Sequence, residues 1–214
     1  MDILILTLEI IGTLSFAASG ALIAIKKDMD IFGVVVLGVI TSVGGGILRD
    51  VILGNTPPFI FYNPVYPIVA VVTSIAIFLP FIRRPLLKNH LVYELLMIVM
   101  DSVGLGVFTV VGIQITYSVS DDFGFGLVVV MGMLSGVGGG VIRDVLAGDR
   151  PYIFVKHVYA LASLLGAVVC TLMWNYNNTY ALISGSLLTI IIRFCAAHFR
   201  WSLPKAHVDK SENL

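Results

Sequence analysis

The chain has 214 residues, no net charge at neutral pH, 58% hydrophobic and only 12% charged residues, and a mean hydropathy of +1.00. Soluble domains carry about a quarter charged residues, so this composition excludes an ordinary soluble globular protein and points to one built for lipid. No nucleic-acid partner is expected.

A bilayer core of about 30 Å takes roughly 20 apolar helical residues to cross. Hydropathy and its breaks predict an all-α integral membrane protein of seven transmembrane helices, over 3–25, 31–53, 65–82, 91–111, 123–147, 157–174 and 180–199. The joins are short and hold charged or turn residues: Lys26-Lys27-Asp28, Asn55-Thr56-Pro57-Pro58, Arg83-Arg84-Pro85, Asp121-Asp122, Gly148-Asp149-Arg150-Pro151 and Asn175 to Asn178. They leave no room for a soluble domain. Residues 1–200 therefore read as one transmembrane domain and 201–214 as a cytoplasmic tail. The first span is read as a mature helix, not a cleaved leader, because Asp2 stands where a leader carries Lys or Arg and Glu9 interrupts the apolar run. Cys170 and Cys195 fall inside spans and read as small buried hydrophobes.

Of the thirteen Lys and Arg residues, three (Arg49, Arg143 and Arg193) lie within spans. With seven crossings the other ten all fall on one side. The positive-inside rule then puts the N-terminus outside and the C-terminus in the cytoplasm.

The sequence repeats. Gly44-Gly45-Gly46-Ile47-Leu48-Arg49-Asp50 returns as Gly138-Gly139-Gly140-Val141-Ile142-Arg143-Asp144. Around it, Glu9, Gly12, Phe16 and Gly20 match Asp101, Gly104, Phe108 and Gly112, and Gly54 and Pro57 match Gly148 and Pro151. After a one-residue slip, Phe61, Val65 and Tyr66 match Phe154, Val158 and Tyr159. Residues 9–82 thus repeat as 101–174, leaving the seventh helix, 180–199, unpaired. Three crossings per unit make the second unit enter from the opposite side, the inverted topology of many transport proteins. The triple glycines are expected to kink the second and fifth spans. Unwound backbone at membrane depth is tolerated where protein or a wet cavity satisfies it; the alternative is close helix packing through small residues.

An Arg or Asp inside a span costs about 2.5–3.5 kcal/mol on insertion scales, so Arg49, Asp50, Arg143 and Asp144 need partners. Neighbours on a helix point about 100° apart, so each arginine is expected to reach an acid on another helix. Glu9 and Asp101 are the candidate charge partners, and Arg193 is expected to snorkel to the surface. Candidate pore-lining hydroxyls are Ser15, Ser19, Thr41, Ser42, Ser102, Thr109 and Ser135, each of which also reads as a packing residue. Phe59, Phe61, Tyr62, Tyr66, Trp174, Tyr176 and Tyr180 read as an interfacial aromatic belt. There is no HExxH, nucleophile elbow or P-loop, so no enzyme activity, cofactor or fixed metal site is expected.

The duplicated GGG-x-x-Arg-Asp-Val phrase, in a three-plus-three-plus-one membrane chain, resembles the TRIC family of trimeric intracellular cation channels over roughly residues 3–200. Animal members carry Lys-Glu-Val where this chain has Arg49-Asp50-Val51 and Arg143-Asp144-Val145, which keeps the charge signs and looks like the prokaryotic branch. The resemblance implies a homotrimer in a prokaryotic inner membrane, with an hourglass pore for K⁺ and Na⁺ inside each protomer. It implies that the second and fifth spans frame the pore, with both glycine triplets and Arg49 and Arg143 at the constriction, and that these basic residues affect gating. It also implies an affinity for anionic lipid headgroups, expected here at the basic cytoplasmic face. Related prokaryotic sequences carry a glycine-transporter label. The rival expectation is therefore a secondary transporter of a small amino acid such as glycine, which would bind the carboxylate at a half-helix N-terminus.

Overall fold

The computed structural model describes residues 3–120, 122–155, 158–199 and 201. The tail beyond Trp201, and Asp121, Lys156, His157 and Arg200, lie outside the described residues.

Long apolar stretches force the backbone to satisfy its own hydrogen bonds, and among the described residues the result is all-helical. Five helices are long and apolar enough to cross a bilayer: α1 (Ile3–Lys26), α2 (Ile31–Ile52), α5 (His90–Val119), α6 (Phe125–Leu146) and α9 (Asn178–His198). The third expected span divides into α3 (Val65–Phe78) and α4 (Pro80–Lys88), bent by 69°. Pro80 has no N–H to continue the ladder, and it holds Leu79 extended at φ −59°, ψ 134°. The sixth expected span is the shorter α8 (Tyr159–Met173), preceded by the single turn α7 (Tyr152–Val155). The fourth runs on to Val119, two turns past the expected end, because 112–119 is mainly apolar and holds no breaker other than Gly112.

The backbone does not unwind at the triple glycines: α2 and α6 stay helical through Gly44–Gly46 and Gly138–Gly140. The glycines instead let two helices touch. A methyl on Gly45 would sit 2.2 Å from the Ser135 carbonyl oxygen, and one on Gly139 would sit 2.0 Å from that of Thr41. Packing restores what two flexible backbones lose in entropy.

The two matched units pack alike. α1 lies against α2 and α3, and α5 against α6 and α8; α1–α5 and α2–α6 contacts join them, and α9 covers α5 and α8. The interior holds Glu9, Arg49, Asp50, Asp101, Arg143, Asp144 and Arg193, while Ile68, Val72, Leu91, Leu187 and Ile191 face outward. That distribution is the reverse of a soluble protein and places the chain in the membrane.

Both motif helices end the same way. Gly54 and Gly148 take φ +73° and +72°, and the next amides, Asn55 N and Asp149 N, return to Asp50 O at 2.8 Å and Asp144 O at 2.9 Å. A side chain pays about 1–2 kcal/mol in this left-handed region. Gly148→Ala is therefore expected to lower the melting temperature of the detergent-solubilised protein by a few degrees, with the helical circular dichroism unchanged.

Candidate functional site

Each motif arginine sits in the last turn of its helix, where the dipole's negative end favours a cation. In the first unit, Arg49 Nε and Nη2 donate to Asp50 Oδ1 at 2.9 and 2.7 Å, and Asp50 Oδ2 accepts from Phe59 N at 3.0 Å. In the second, Arg143 Nε donates to Asp144 Oδ1 at 2.9 Å, and Asp144 Oδ2 accepts from Tyr152 N at 2.8 Å. The expectation that sequence neighbours would not pair is thus corrected. The 100° step fixes only where Cβ points, and arginine's four-bond stem curls its fork back to the next residue. Each aspartate then ties the helix end to the segment that follows.

The expected inter-helix pairing holds in one half. Arg143 Nη1 donates to Asp101 Oδ1 at 2.6 Å and to Ser19 Oγ at 2.5 Å, and Arg143 is wholly buried. Glu9, the counterpart of Asp101, takes a different partner: its Oε2 accepts from the hydroxyl of Tyr66. Tyr66 is therefore a buried ligand of Glu9 and not part of an aromatic belt; Phe61, Tyr62, Tyr176 and Tyr180 are exposed as that belt requires. Arg193 does not snorkel either. It is buried, with its guanidinium 4.7 Å from the centre of the Tyr159 ring.

Two cavities lie at opposite ends of α1 and α5. A small one, about 60 Å³, lies at the Phe59 end and is lined by Glu9, Ser42, Arg49, Asp50, Tyr66 and Ser135, among others. A larger one, about 710 Å³, opens at the other end between Lys26, Lys27, Glu94, Asp101, Asp149 and Arg193. Lys27 and Asp149 form an ion pair of 2.6 Å across that mouth. Beside the smaller cavity, the Gly45–Ser135 and Gly139–Thr41 approaches close the α2–α6 crossing.

Of the candidate hydroxyls, Ser42 and Ser135 reach the smaller cavity, and Ser19 serves Arg143. Thr41, Ser42, Thr109 and Ser135 bond back to the carbonyls of Leu37, Val39, Leu105 and Met131, as helix-packing hydroxyls do. Ser15 is buried, and Ser102 Oγ has no hydrogen-bond partner among the described residues. Sequence reasoning missed Tyr66 and Tyr159 as site residues. The signal was present in their match across the two units.

The glycine-transporter family model matches twice, over residues 6–81 and 98–175. A solved structure of TRIC cation channels, reported for the basis of conductance, is 37% identical over 95% of this chain and 97% of that one, with a TM-score of 0.82. This chain belongs to the TRIC family. The TRIC trimeric intracellular cation channel orthologue from Rhodobacter sphaeroides is 30% identical, covers 93% of this chain and 100% of its own, and superposes with a TM-score of 0.84. The UPF0126 inner membrane protein YadS of Escherichia coli (strain K12) is 38% identical over 211 residues, 97% of this TRIC chain and 99% of its own.

Proposed function

We propose that this chain is a channel for monovalent cations, K⁺ and also Na⁺, with one path inside each protomer between α2 and α6. The observation that carries this reading is the pair of cavities at opposite ends of α1 and α5, the smaller of which is also walled by α2 and α6 beside their glycine-packed crossing. The arrangement is a closed one, and conduction needs α2 and α6 to part at Gly45 and Gly139. Arg49, at the wall of the smaller cavity, then tunes the open path; Arg143 acts from within a fully buried network. The cation-channel relatives support the reading and also support a homotrimer. The basic loops support an orientation with both Lys27 and Asp149 in the cytoplasm, where Lys26, Arg83 and Arg84 would meet anionic headgroups.

The family model's glycine-transporter description favours a second reading, a carrier that alternates between the two cavities. Purified protein in planar bilayers separates the two. A channel gives unitary current steps in K⁺ and in Na⁺, and Arg49→Ala changes open probability or rectification while the protein still elutes as a folded oligomer. Saturable glycine uptake without current steps would instead establish the carrier.

A further inference from the structure

The two halves contain the same four parts in two different arrangements. Each has an acid on its first helix (Glu9 or Asp101), an arginine on its second (Arg49 or Arg143), the aspartate after it, and a tyrosine on its third (Tyr66 or Tyr159). In the first half the acid holds the tyrosine, and among the described residues the arginine's hydrogen bonds go to its neighbour Asp50. In the second half the acid holds the arginine. There Tyr159 Oη and Asp101 Oδ2, both buried, lack hydrogen-bond partners among the described residues.

The missing bonds are within electrostatic reach. Glu9, Arg49 and Tyr66 share the wall of the smaller cavity, and Tyr159 Oη and Arg143 Nη2 both lie within 4 Å of where a Cβ on Gly140 would stand. A carboxylate facing two competing donors has two bonded states, and the matched units display one each.

We propose that Tyr66 and Tyr159 are paired gating residues that compete with Arg49 and Arg143 for Glu9 and Asp101, and that the halves exchange arrangements. In the second conformation Glu9 takes Arg49, drawing the guanidinium from the α2 terminus towards α1. Asp101 then takes Tyr159 and leaves Arg143 to Asp144, loosening the tie between α5 and α6. The exchange moves charge at both cavities at once, one tightening as the other relaxes. It deepens the two-cavity reading above by naming the groups that set which end is held shut.

The substitutions with definite signs are conservative. Tyr66→Phe removes a bond present only in the observed arrangement and favours the exchanged one. Tyr159→Phe removes a bond present only in the exchanged arrangement and favours the observed one. Glu9→Gln keeps an acceptor for Tyr66 but loses the attraction to Arg49, so it acts with Tyr159→Phe. Because a hydrogen bond to a charged group is at stake, each shift is expected to be about ten-fold.

The readout is the rate of maleimide labelling at Ser42→Cys, beside the smaller cavity, and at Met97→Cys, beside the larger, with Cys170 and Cys195 replaced by alanine, in proteoliposomes. Tyr66→Phe is expected to move the ratio of the two rates one way. Tyr159→Phe and Glu9→Gln should move it the other way, and the double Phe variant should lie near the parent. Shifts of the same sign, or ratios unchanged within about two-fold in folded protein, overturn the exchange. Labelling needs no current, so opposite shifts in a protein that passes no ions would uphold the exchange and remove the channel reading. Unitary currents without opposite shifts would do the reverse.

Discussion

Arg143→Ala leaves little folded protein. Asp101 and Asp144 are each about 1% exposed, and this one guanidinium pairs with both, leaving Asp144 with the Tyr152 amide when it is removed. Removing it strands two carboxylates in the interior, where breaking a single buried pair already costs about 3–5 kcal/mol. Net stabilities are about 5–15 kcal/mol, so the loss takes much or all of the margin. The expected measurement is a collapsed size-exclusion peak in mild detergent, or a melting temperature lower by well over ten degrees. Arg143→Lys restores only part of it, because a single ammonium cannot reproduce the fork that serves Asp101, Asp144 and Ser19 together. The equivalent Arg49→Ala costs much less. Asp50 keeps the Phe59 amide and borders a cavity that water can enter. An equal loss in both variants would refute this division of labour between two copies of one motif.

Within each glycine triplet, the middle residue carries the packing. Gly139→Ala and Gly45→Ala each place a methyl carbon at about half the normal contact distance from a backbone oxygen of the facing helix. No rotamer change relieves that clash, so α2 and α6 must separate. Overpacking of this kind costs about 1–3 kcal/mol, and the rigidity of the obstacle puts both variants at the upper end. Gly46→Ala meets nothing nearer than Arg49 Nη2 at 3.6 Å, and it gains about 0.5–1 kcal/mol of helix propensity. Thermal melts should therefore move in opposite directions for adjacent residues of the same triplet. A uniform response would show that the crossing is looser than the helix approach implies.

Much of the site was legible before any coordinates. The duplicated phrase located both helix ends, and the match of Glu9 with Asp101 found the acid that Arg143 uses. What failed did so for identifiable reasons. Glycine's poor helix propensity suggested unwound backbone, but propensity is a weak guide where two helices bury their backbones against each other. The spacing of Arg49 and Asp50 gave Cβ directions and said nothing of how far a guanidinium reaches. Tyr66 looked like an interfacial ring because its sequence neighbours are, and only the fold turns its hydroxyl inward to Glu9. Pro80 was readable as a stop, yet the apolar run on either side concealed it. Arg193, thirteen residues into the expected seventh span, turns inward, beside the larger cavity and over the Tyr159 ring.

The bend at Pro80 leaves α3 only 14 residues long, and α8 has 15. At 1.5 Å per residue these are cylinders of about 21–23 Å, several ångströms less than a bilayer's hydrocarbon depth. They occupy equivalent places in the two matched units, α3 against α1 and α2 and α8 against α5 and α6. Lipid beside them must thin to meet them, at a fraction of a kcal/mol per ångström. Acyl-chain length thereby becomes a mechanical load on the helices that carry Tyr66 and Tyr159.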